Sequence, residues 1–161
     1  MRFIGSALVA SAFVLGACGG GEKAPATDSA AAPAAAPAAA ATGTAAAITG
    51  TTHEVKMYGD EKGYRFEPKD ITVKAGDGIK FTFISGGPHN VAFNPADIPA
   101  DVKPQLDANM GADKLAELSS KMLMNANESV TISFANIKPG TYPFNCTPHL
   151  AMGMKGTVTV Q

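Results

Sequence analysis

The sequence predicts an all-β domain, a β-sandwich with Greek-key connections, between residues 51 and 161. Apolar and polar residues alternate there in four runs, as the two faces of a half-buried strand require. These runs are Ile71–Val73, Ile79–Phe83, Val130–Phe134 and Val158–Val160. Turn-forming sequences rich in glycine and proline separate the runs, at residues 74–78, 85–88 and 138–140. Several short strands within about 110 residues are typical of a β-sandwich.

One short helix is predicted between the strands. It is placed at Ala112–Ser119, because Leu115 and Leu118 can share one helical face there. A domain of about 110 residues can bury one hydrophobic core without disulfide bonds. The chain has two cysteines, Cys18 and Cys146, which lie far apart in very different surroundings. Two cysteines permit one disulfide bond, but each of these has a better local explanation.

The N-terminus has the organisation of a secretory signal peptide, predicted at residues 1–17. Arg2 precedes an apolar run from Phe3 to Leu15, and small residues follow it. The run is shorter than the roughly twenty residues that a membrane-spanning helix needs. The sequence "LGAC" that ends at Cys18 resembles the lipobox of bacterial lipoproteins, which implies a lipid-modified cysteine at the mature N-terminus. The alternative is an ordinary signal peptide followed by an unmodified cysteine.

Residues 18–50 are predicted to be a disordered tether between that lipid anchor and the domain. This segment consists mainly of alanine, proline, threonine and glycine, and it has almost no large apolar side chains. Such a segment cannot bury enough apolar surface to offset the entropy lost on ordering. Its prolines also oppose the helix that the alanines favour.

The charge balance excludes some classes of partner. The chain has 13 basic and 14 acidic residues and a formal net charge of −1. Removal of residues 1–17 takes away one basic residue, Arg2, and leaves 12 basic against 14 acidic residues, a net charge of −2. Neither value predicts binding to nucleic acid or electrostatic attraction to an anionic membrane.

The segment "CTPHLAMGM" brings four possible metal ligands into one loop before the last strand. They are Cys146, His149, Met152 and Met154, and His89 follows a Gly-Gly-Pro turn upstream. Two imidazoles and a thiolate with a weak axial thioether form the blue-copper electron-transfer site. Zinc more often takes four cysteine or histidine ligands and rarely methionine. A catalytic Cys–His pair does not account for the methionines.

The motif Cys-x-x-His-x-x-x-x-Met, at Cys146, His149 and Met154, resembles the ligand loop of plastocyanin and pseudoazurin. Residues 66–83, 86–102 and 139–160 are similar to the same cupredoxin family in the same order, so the resemblance covers most of residues 55–161. It implies the cupredoxin fold, a Greek-key sandwich with one copper ion at one end. It also implies that His89, Cys146, His149 and Met154 bind that ion.

The axial ligand has an alternative. Met152 competes with Met154, because a two-residue gap after the histidine occurs in short-loop cupredoxins such as amicyanin. Met154 is favoured because the sequence Met154-Lys155-Gly156 leads directly into the last strand.

The resemblance also implies roles for residues that do not bind the metal. Asn90 and Thr147 are expected to tie the two ligand segments together by hydrogen bonding, which orients the ligands. In the cupredoxin arrangement one edge of the His149 imidazole faces solvent and the partner. Uncharged residues beside it form what we call the docking patch: Leu150, Met152, Gly87 and Pro88.

Two features depart from the plant plastocyanins. Asn145 stands where those proteins have a tyrosine used for remote electron transfer, and acidic residues near it are few. A general bacterial cupredoxin is therefore predicted, a monomeric electron carrier rather than an enzyme. Its expected partners are extracytoplasmic redox proteins, such as a c-type cytochrome, a terminal oxidase or a copper reductase. The alternative is a copper storage, delivery or resistance protein; three histidines in the whole chain are too few for a multicopper oxidase.

Overall fold

The computed structural model describes residues 43–161, which form a sandwich of two four-stranded sheets. The strands are β1 Thr52–Asp60, β2 Gly63–Glu67, β3 Asp70–Val73, β4 Gly78–Phe83, β5 Ala92–Phe93, β6 Ser129–Ser133, β7 Gly140–Asn145 and β8 Lys155–Val160. One sheet has the order β2-β1-β4-β6 and the other β3-β8-β7-β5. Strands that are distant in sequence are therefore neighbours, as Greek-key connections require. The predicted all-β sandwich is confirmed.

Alternate residues of the central strands form the core between the two sheets. In β4, Ile79, Phe81 and Phe83 are buried, whereas Lys80 and Thr82 between them are partly exposed. The predicted alternation in β6 and β8 has the same outcome, with one apolar face of each strand turned inward. Burial of each large apolar side chain stabilises the fold by roughly 1.5–3 kcal/mol.

Three phenylalanines pack edge to face where the two sheets meet. The ring centroid of Phe144 in β7 lies 4.7 Å from that of Phe66 and 5.4 Å from that of Phe81. Such aromatic pairs favour this geometry and resist displacement. Phe144 comes two residues before Cys146, so the cluster fixes the end of the strand from which the C-terminal ligand loop begins.

The short helix exists, but its predicted position at Ala112–Ser119 is wrong. The helix is α1, Lys103–Asn109. Pro104 lies in its first turn, where a missing backbone N–H costs nothing. Leu106 on its inner face is fully buried. Gly111 follows with a φ of +89°, a backbone conformation that favours glycine and that ends the helix.

The predicted helical segment is instead an irregular loop with a tight turn. Leu118 is fully buried with a φ of +55°, whereas Leu115 is 57% exposed, so the two leucines do not share a face. The backbone N–H of Leu118 donates to Asp107 Oδ1 at 2.7 Å. That side-chain acceptor replaces the carbonyl that a helix would have supplied.

Residues 43–50, which the sequence assigns to the tether, lie against the sandwich. The backbone N–H of Ala46 donates to Asn109 Oδ1 at 2.8 Å, and Thr49 and Gly50 donate to the carbonyl of Gly76 at 3.0 and 2.9 Å. Asn109 Nδ2 also donates to the backbone carbonyls of Ser133, the last residue of β6, and of Ala135. The ordered unit therefore begins before the predicted boundary at residue 51.

The predicted signal peptide, the lipid site at Cys18 and residues 18–42 of the predicted tether lie outside the described residues. Within residues 43–161, no helix has the length and apolar character needed to cross a membrane.

Candidate metal centre

Three predicted ligands come together in a buried cluster at one end of the sandwich. His89, Cys146 and His149 each place one ligand atom within 4.8 Å of the others. Cys146 Sγ lies 3.5 Å from His89 Nδ1 and 3.4 Å from His149 Nδ1. Cys146 and His89 are fully buried and His149 is 5% exposed. Ligand atoms of residues up to 60 positions apart in the sequence therefore face one small volume that is shielded from solvent.

The C-terminal ligand loop is closed by its own backbone. After β7, Cys146 is extended, and residues Thr147–Met152 form a 3₁₀ turn that carries His149. Gly153, with a φ of +81°, ends this turn and returns the chain to β8. The N–H of Cys146 donates to the carbonyl of Met154 at 3.1 Å. This bond holds the two sulfur-bearing residues on opposite sides of the loop at a fixed separation.

The His89 imidazole is oriented by a hydrogen bond to the backbone. Its Nε2 lies 2.9 Å from the carbonyl oxygen of Ser85, which can only accept, so Nε2 carries the proton. The Nδ1 lone pair is then left free to face Cys146 Sγ. Backbone pairing with Leu123, at 3.0 and 2.8 Å, fixes the chain on which His89 lies.

Burial sets the protonation of the cluster. It lowers the pKa of the His89 imidazole, and the hydrogen bond to Ser85 opposes this effect. Burial, followed by the nearness of His89, also lowers the pKa of His149. Burial raises the pKa of the Cys146 thiol, while backbone N–H groups of Asn90 and His149 oppose the shift. Both imidazoles therefore favour the neutral form that binds metals, and a bound cation favours the thiolate.

The structure separates the two methionines of the loop. Met154 is fully buried and belongs to the same core cluster as Cys146, whereas Met152 is 61% exposed. A donor set of two imidazoles and one cysteine sulfur, with a buried methionine in the same core cluster, suits copper, since thiolate and thioether sulfur favour Cu(I) and imidazole suits both oxidation states. The residues present therefore fit one copper ion.

Asn90 and Thr147 are in contact, as the resemblance implied. Asn90 Nδ2 donates to Thr147 Oγ1 at 3.1 Å, and the N–H of Thr147 donates to Asn90 Oδ1 at 2.7 Å. The same Nδ2 also donates to Ser119 Oγ at 3.1 Å. This role of Ser119 could not be predicted from the sequence, because the predicted helix at Ala112–Ser119 covers its position.

The docking patch lies at the surface of the two ligand segments. Leu150 is 42% exposed, Met152 is 61% exposed, and Gly87 and Pro88 are also exposed. The imidazole centroids of His89 and His149, which these segments carry, are 4.9 Å apart. The four residues of the docking patch are therefore exposed and uncharged.

Tyr64 is a residue of the site that sequence reasoning missed. It lies in β2, a strand that carries no predicted ligand, yet its ring stacks on His149 with centroids 3.7 Å apart and planes 16° from parallel. A single tyrosine in an edge hairpin carries no sequence signal for contact with a loop 85 positions away.

Comparison with known proteins places this arrangement in a family. Residues 53–161 match the family of copper binding proteins described as the plastocyanin/azurin family. The protein named "Plastocyanin, chloroplastic" from Physcomitrium patens is 44% identical over 106 residues, which are 66% of this chain and 56% of that relative. The plastocyanin of Nostoc punctiforme is 41% identical over 112 residues, 68% of this chain and 74% of the relative.

A solved structure shares the fold. The structure of a mutant plastocyanin of fern has a TM-score of 0.53 and 38% identity, and the match covers 67% of this chain and 99% of that one. The two-sheet fold and the buried His-Cys-His cluster define a cupredoxin. This chain belongs to the plastocyanin/azurin family of copper-binding proteins, and copper is the cofactor that its site fits.

Proposed function

We propose that this protein is a blue copper electron carrier in which His89, Cys146 and His149 bind one copper ion and Met154 is the axial ligand. The observation that carries the proposal is the buried cluster in which Cys146 Sγ lies within 3.5 Å of both Nδ1 atoms. Bound copper supplies a one-electron Cu(II)/Cu(I) couple. Electron exchange through bound copper needs no reacting group of the protein itself, so we propose a carrier and not an enzyme.

The protein holds the ligand atoms in fixed positions and shields them from solvent. The Ser85 carbonyl fixes one imidazole, and the pairing of Asn90 with Thr147 joins the two ligand segments. Because the donors are buried among core residues, their positions are determined mainly by the fold. A donor set that does not rearrange lets an electron be exchanged with little reorganisation of the surroundings.

The same closure argues against the alternative of copper storage or delivery. Handing copper to another protein requires a donor set that the acceptor can reach, whereas Cys146 and His89 are fully buried here. An electron needs only a short path. His149 provides one. Its Nε2 has no hydrogen-bond partner within residues 43–161, and no buried side-chain nitrogen or oxygen in those residues lacks a partner. This Nε2 therefore reaches solvent.

Extracytoplasmic redox proteins are the proposed partners, and we propose that they dock on the docking patch around His149. An uncharged, exposed patch favours brief contacts with little buried surface, as weak redox encounters have. Cytochromes of the c type, terminal oxidases and copper reductases are the classes we propose, with the protein acting as a monomer.

The location follows from the N-terminal sequence. We propose export by the signal peptide at residues 1–17, lipid attachment at Cys18 and a tether that leads to the domain on the extracytoplasmic side. Several acyl chains hold a protein firmly at a membrane, whereas one binds marginally. Incorporation of labelled fatty acid that is lost in Cys18→Ala tests the anchor, and an unlabelled soluble wild-type protein contradicts it.

Single-turnover electron exchange tests the carrier function. In each turnover the copper-loaded protein is expected to accept one electron from a reduced c-type cytochrome and to pass it to an oxidant, without losing its copper. Cys146→Ser is expected to lose this exchange while keeping the β-sandwich. Release of copper to an acceptor in each cycle would instead support delivery.

A further inference from the structure

The tyrosine of the β1–β2 hairpin lies face to face with a copper ligand. The Tyr64 and His149 rings are 3.7 Å apart at their centroids and 16° from parallel, a stacked pair at van der Waals contact. We propose that Tyr64 is a positioning residue, which holds the His149 imidazole in the orientation that turns Nδ1 towards Cys146 Sγ. The proposal rests on the proposed copper site, because the expected effect of the contact between Tyr64 and His149 is slower loss of bound copper.

The two histidines differ in how their rings are held. His89 donates from Nε2 to the Ser85 carbonyl at 2.9 Å, which fixes both its tautomer and its plane. The Nε2 of His149 has no such partner within residues 43–161. A ring held at one nitrogen can still turn about its Cβ–Cγ bond. Stacking opposes that rotation, because any turn separates the two faces, and Tyr64 therefore has the role for His149 that Ser85 has for His89.

The hairpin is shaped to admit the tyrosine ring in this position. Gly59 in β1 faces Tyr64 across the β1–β2 pair. A Cβ at Gly59 would lie 2.5 Å from Tyr64 Cε1 and 2.8 Å from the Cα of Gly86, so a side chain there must displace the ring or the backbone. The missing side chain at Gly59 thus lets Tyr64 lie across β1 towards the ligand loop.

The second aromatic contact places Tyr64 against the whole ligand cluster. Its ring is also 6.2 Å from that of His89, at an interplanar angle of 64°. Tyr64 is only half-buried, and it packs against the hydrophobic core. Its ring therefore lies beside both histidines of the cluster from the side of β2.

The expected effect is modest but measurable. A stacked aromatic pair changes an equilibrium by roughly two- to tenfold. Removal of the stack is expected to let the His149 ring sample further orientations in the copper-free protein and to speed the loss of Cu(I) by about five- to tenfold. His89, which is held by its own hydrogen bond, is expected to be unaffected.

Two substitutions separate stacking from simple packing. Tyr64→Leu removes the aromatic face and keeps an apolar side chain, whereas Tyr64→Phe keeps the face and removes only the hydroxyl. Ring ¹³C relaxation of His149 and His89 is measured by NMR in the copper-free full-length protein, and transfer of Cu(I) to a chelator is measured in the loaded protein.

We expect wild type and Tyr64→Phe to show one ordered His149 ring and Cu(I) transfer rates within about twofold of each other. Tyr64→Leu is expected to show exchange broadening at His149 alone and faster transfer. Equal His149 ring order in wild type and Tyr64→Leu would overturn the positioning role. Because the NMR measurement needs no copper, its result is independent of whether the loaded protein proves to be a blue copper carrier.

Discussion

Asn90 and Thr147 are joined by two hydrogen bonds that connect the two histidine-bearing segments of the site. Asn90 Oδ1 accepts from the backbone N–H of Thr147 at 2.7 Å, and its Nδ2 donates to Thr147 Oγ1 at 3.1 Å. Asn90 is 1% exposed, so water cannot readily replace Thr147 as the hydrogen-bond partner of its side-chain amide. Positions 57 residues apart are thereby held as one unit before any metal binds.

Asn90→Ala is expected to lower the free energy of unfolding of the copper-free protein by about 2–3 kcal/mol. The reason is that Asn90 makes three side-chain hydrogen bonds, with Thr147 and Ser119, and a typical one contributes about 0.5–1.5 kcal/mol. Denaturant unfolding measures the change. Asn94→Ala is the matched control, since Asn94 is exposed and its amide bonds only to Asp97 and its own loop. Its effect should be within about 0.5 kcal/mol. Equal losses in both variants would contradict a stabilising role of the hydrogen bonds between Asn90 and Thr147.

The two methionines of the ligand loop should respond differently to the same substitution. Met154→Leu is expected to raise the reduction potential, because loss of the axial thioether alters the balance between Cu(II) and Cu(I). A tenfold change in that balance corresponds to about 59 mV for one electron, and we expect a rise of this order. Exposed Met152 supplies the control, and Met152→Leu should shift the potential far less in voltammetry. The reverse ranking would assign the axial role to Met152.

Electron exchange should depend on the docking patch and only weakly on salt. Leu150→Asp places a charge at the centre of the patch and is expected to slow exchange with the physiological partner more than about tenfold, with the visible band almost unchanged. Leu115→Asp is the control, because Leu115 is an exposed leucine outside both ligand segments. Stopped-flow rates at several salt concentrations test both points. A steep fall of the wild-type rate with salt would indicate steering by a charged face.

Acid should weaken the fold through Asp77. Hydrogen bonds from His53, at 2.9 Å, and from the backbone N–H groups of Lys74 and Thr51 lower the pKa of Asp77 from 3.8 to about 2. A carboxyl whose pKa is lower in the folded state adds stability above the unfolded value of 3.8. That stability disappears as the pH falls from 3.8 towards 2.

Asp77→Asn is therefore expected to destabilise the protein at pH 6 and to flatten the dependence of unfolding free energy on pH below about pH 4. Thermal unfolding of the copper-free protein between pH 2 and pH 6 measures this dependence. The exposed Asp113 offers the matched control, and Asp113→Asn should keep the wild-type slope. An unchanged slope in Asp77→Asn would show that other carboxyls carry the acid sensitivity.

Four of the eight strands (β3, β4, β6 and β8) and the clustering of His89, Cys146 and His149 could be predicted because their signals are local. Alternation in β4, β6 and β8 reports directly which face is buried, and Cys146 and His149 lie three residues apart in one loop. The helix could not be placed in the same way. Leu115 and Leu118 are three positions apart, as on one helical face. The N–H of Leu118 donates to Asp107 Oδ1, however, and a turn forms instead of a helix.

Contacts between elements that are distant in the sequence could not be predicted from it. Tyr64 reaches His149 only because β2 ends beside the ligand loop and Gly59 has no side chain to block the ring. Ser119 reaches Asn90 only because the segment that contains it is not helical. Each contact depends on the three-dimensional fold.

The visible and electron paramagnetic resonance spectra of the copper-loaded protein test the central claim most directly. A thiolate bound to Cu(II) beside two imidazoles should give an intense charge-transfer band in the visible region and a narrow copper hyperfine splitting. Both features should disappear in Cys146→Ser, with the far-ultraviolet circular dichroism of the β-sandwich retained. A protein that binds copper but stays colourless, with ordinary hyperfine splitting, would contradict the blue copper carrier.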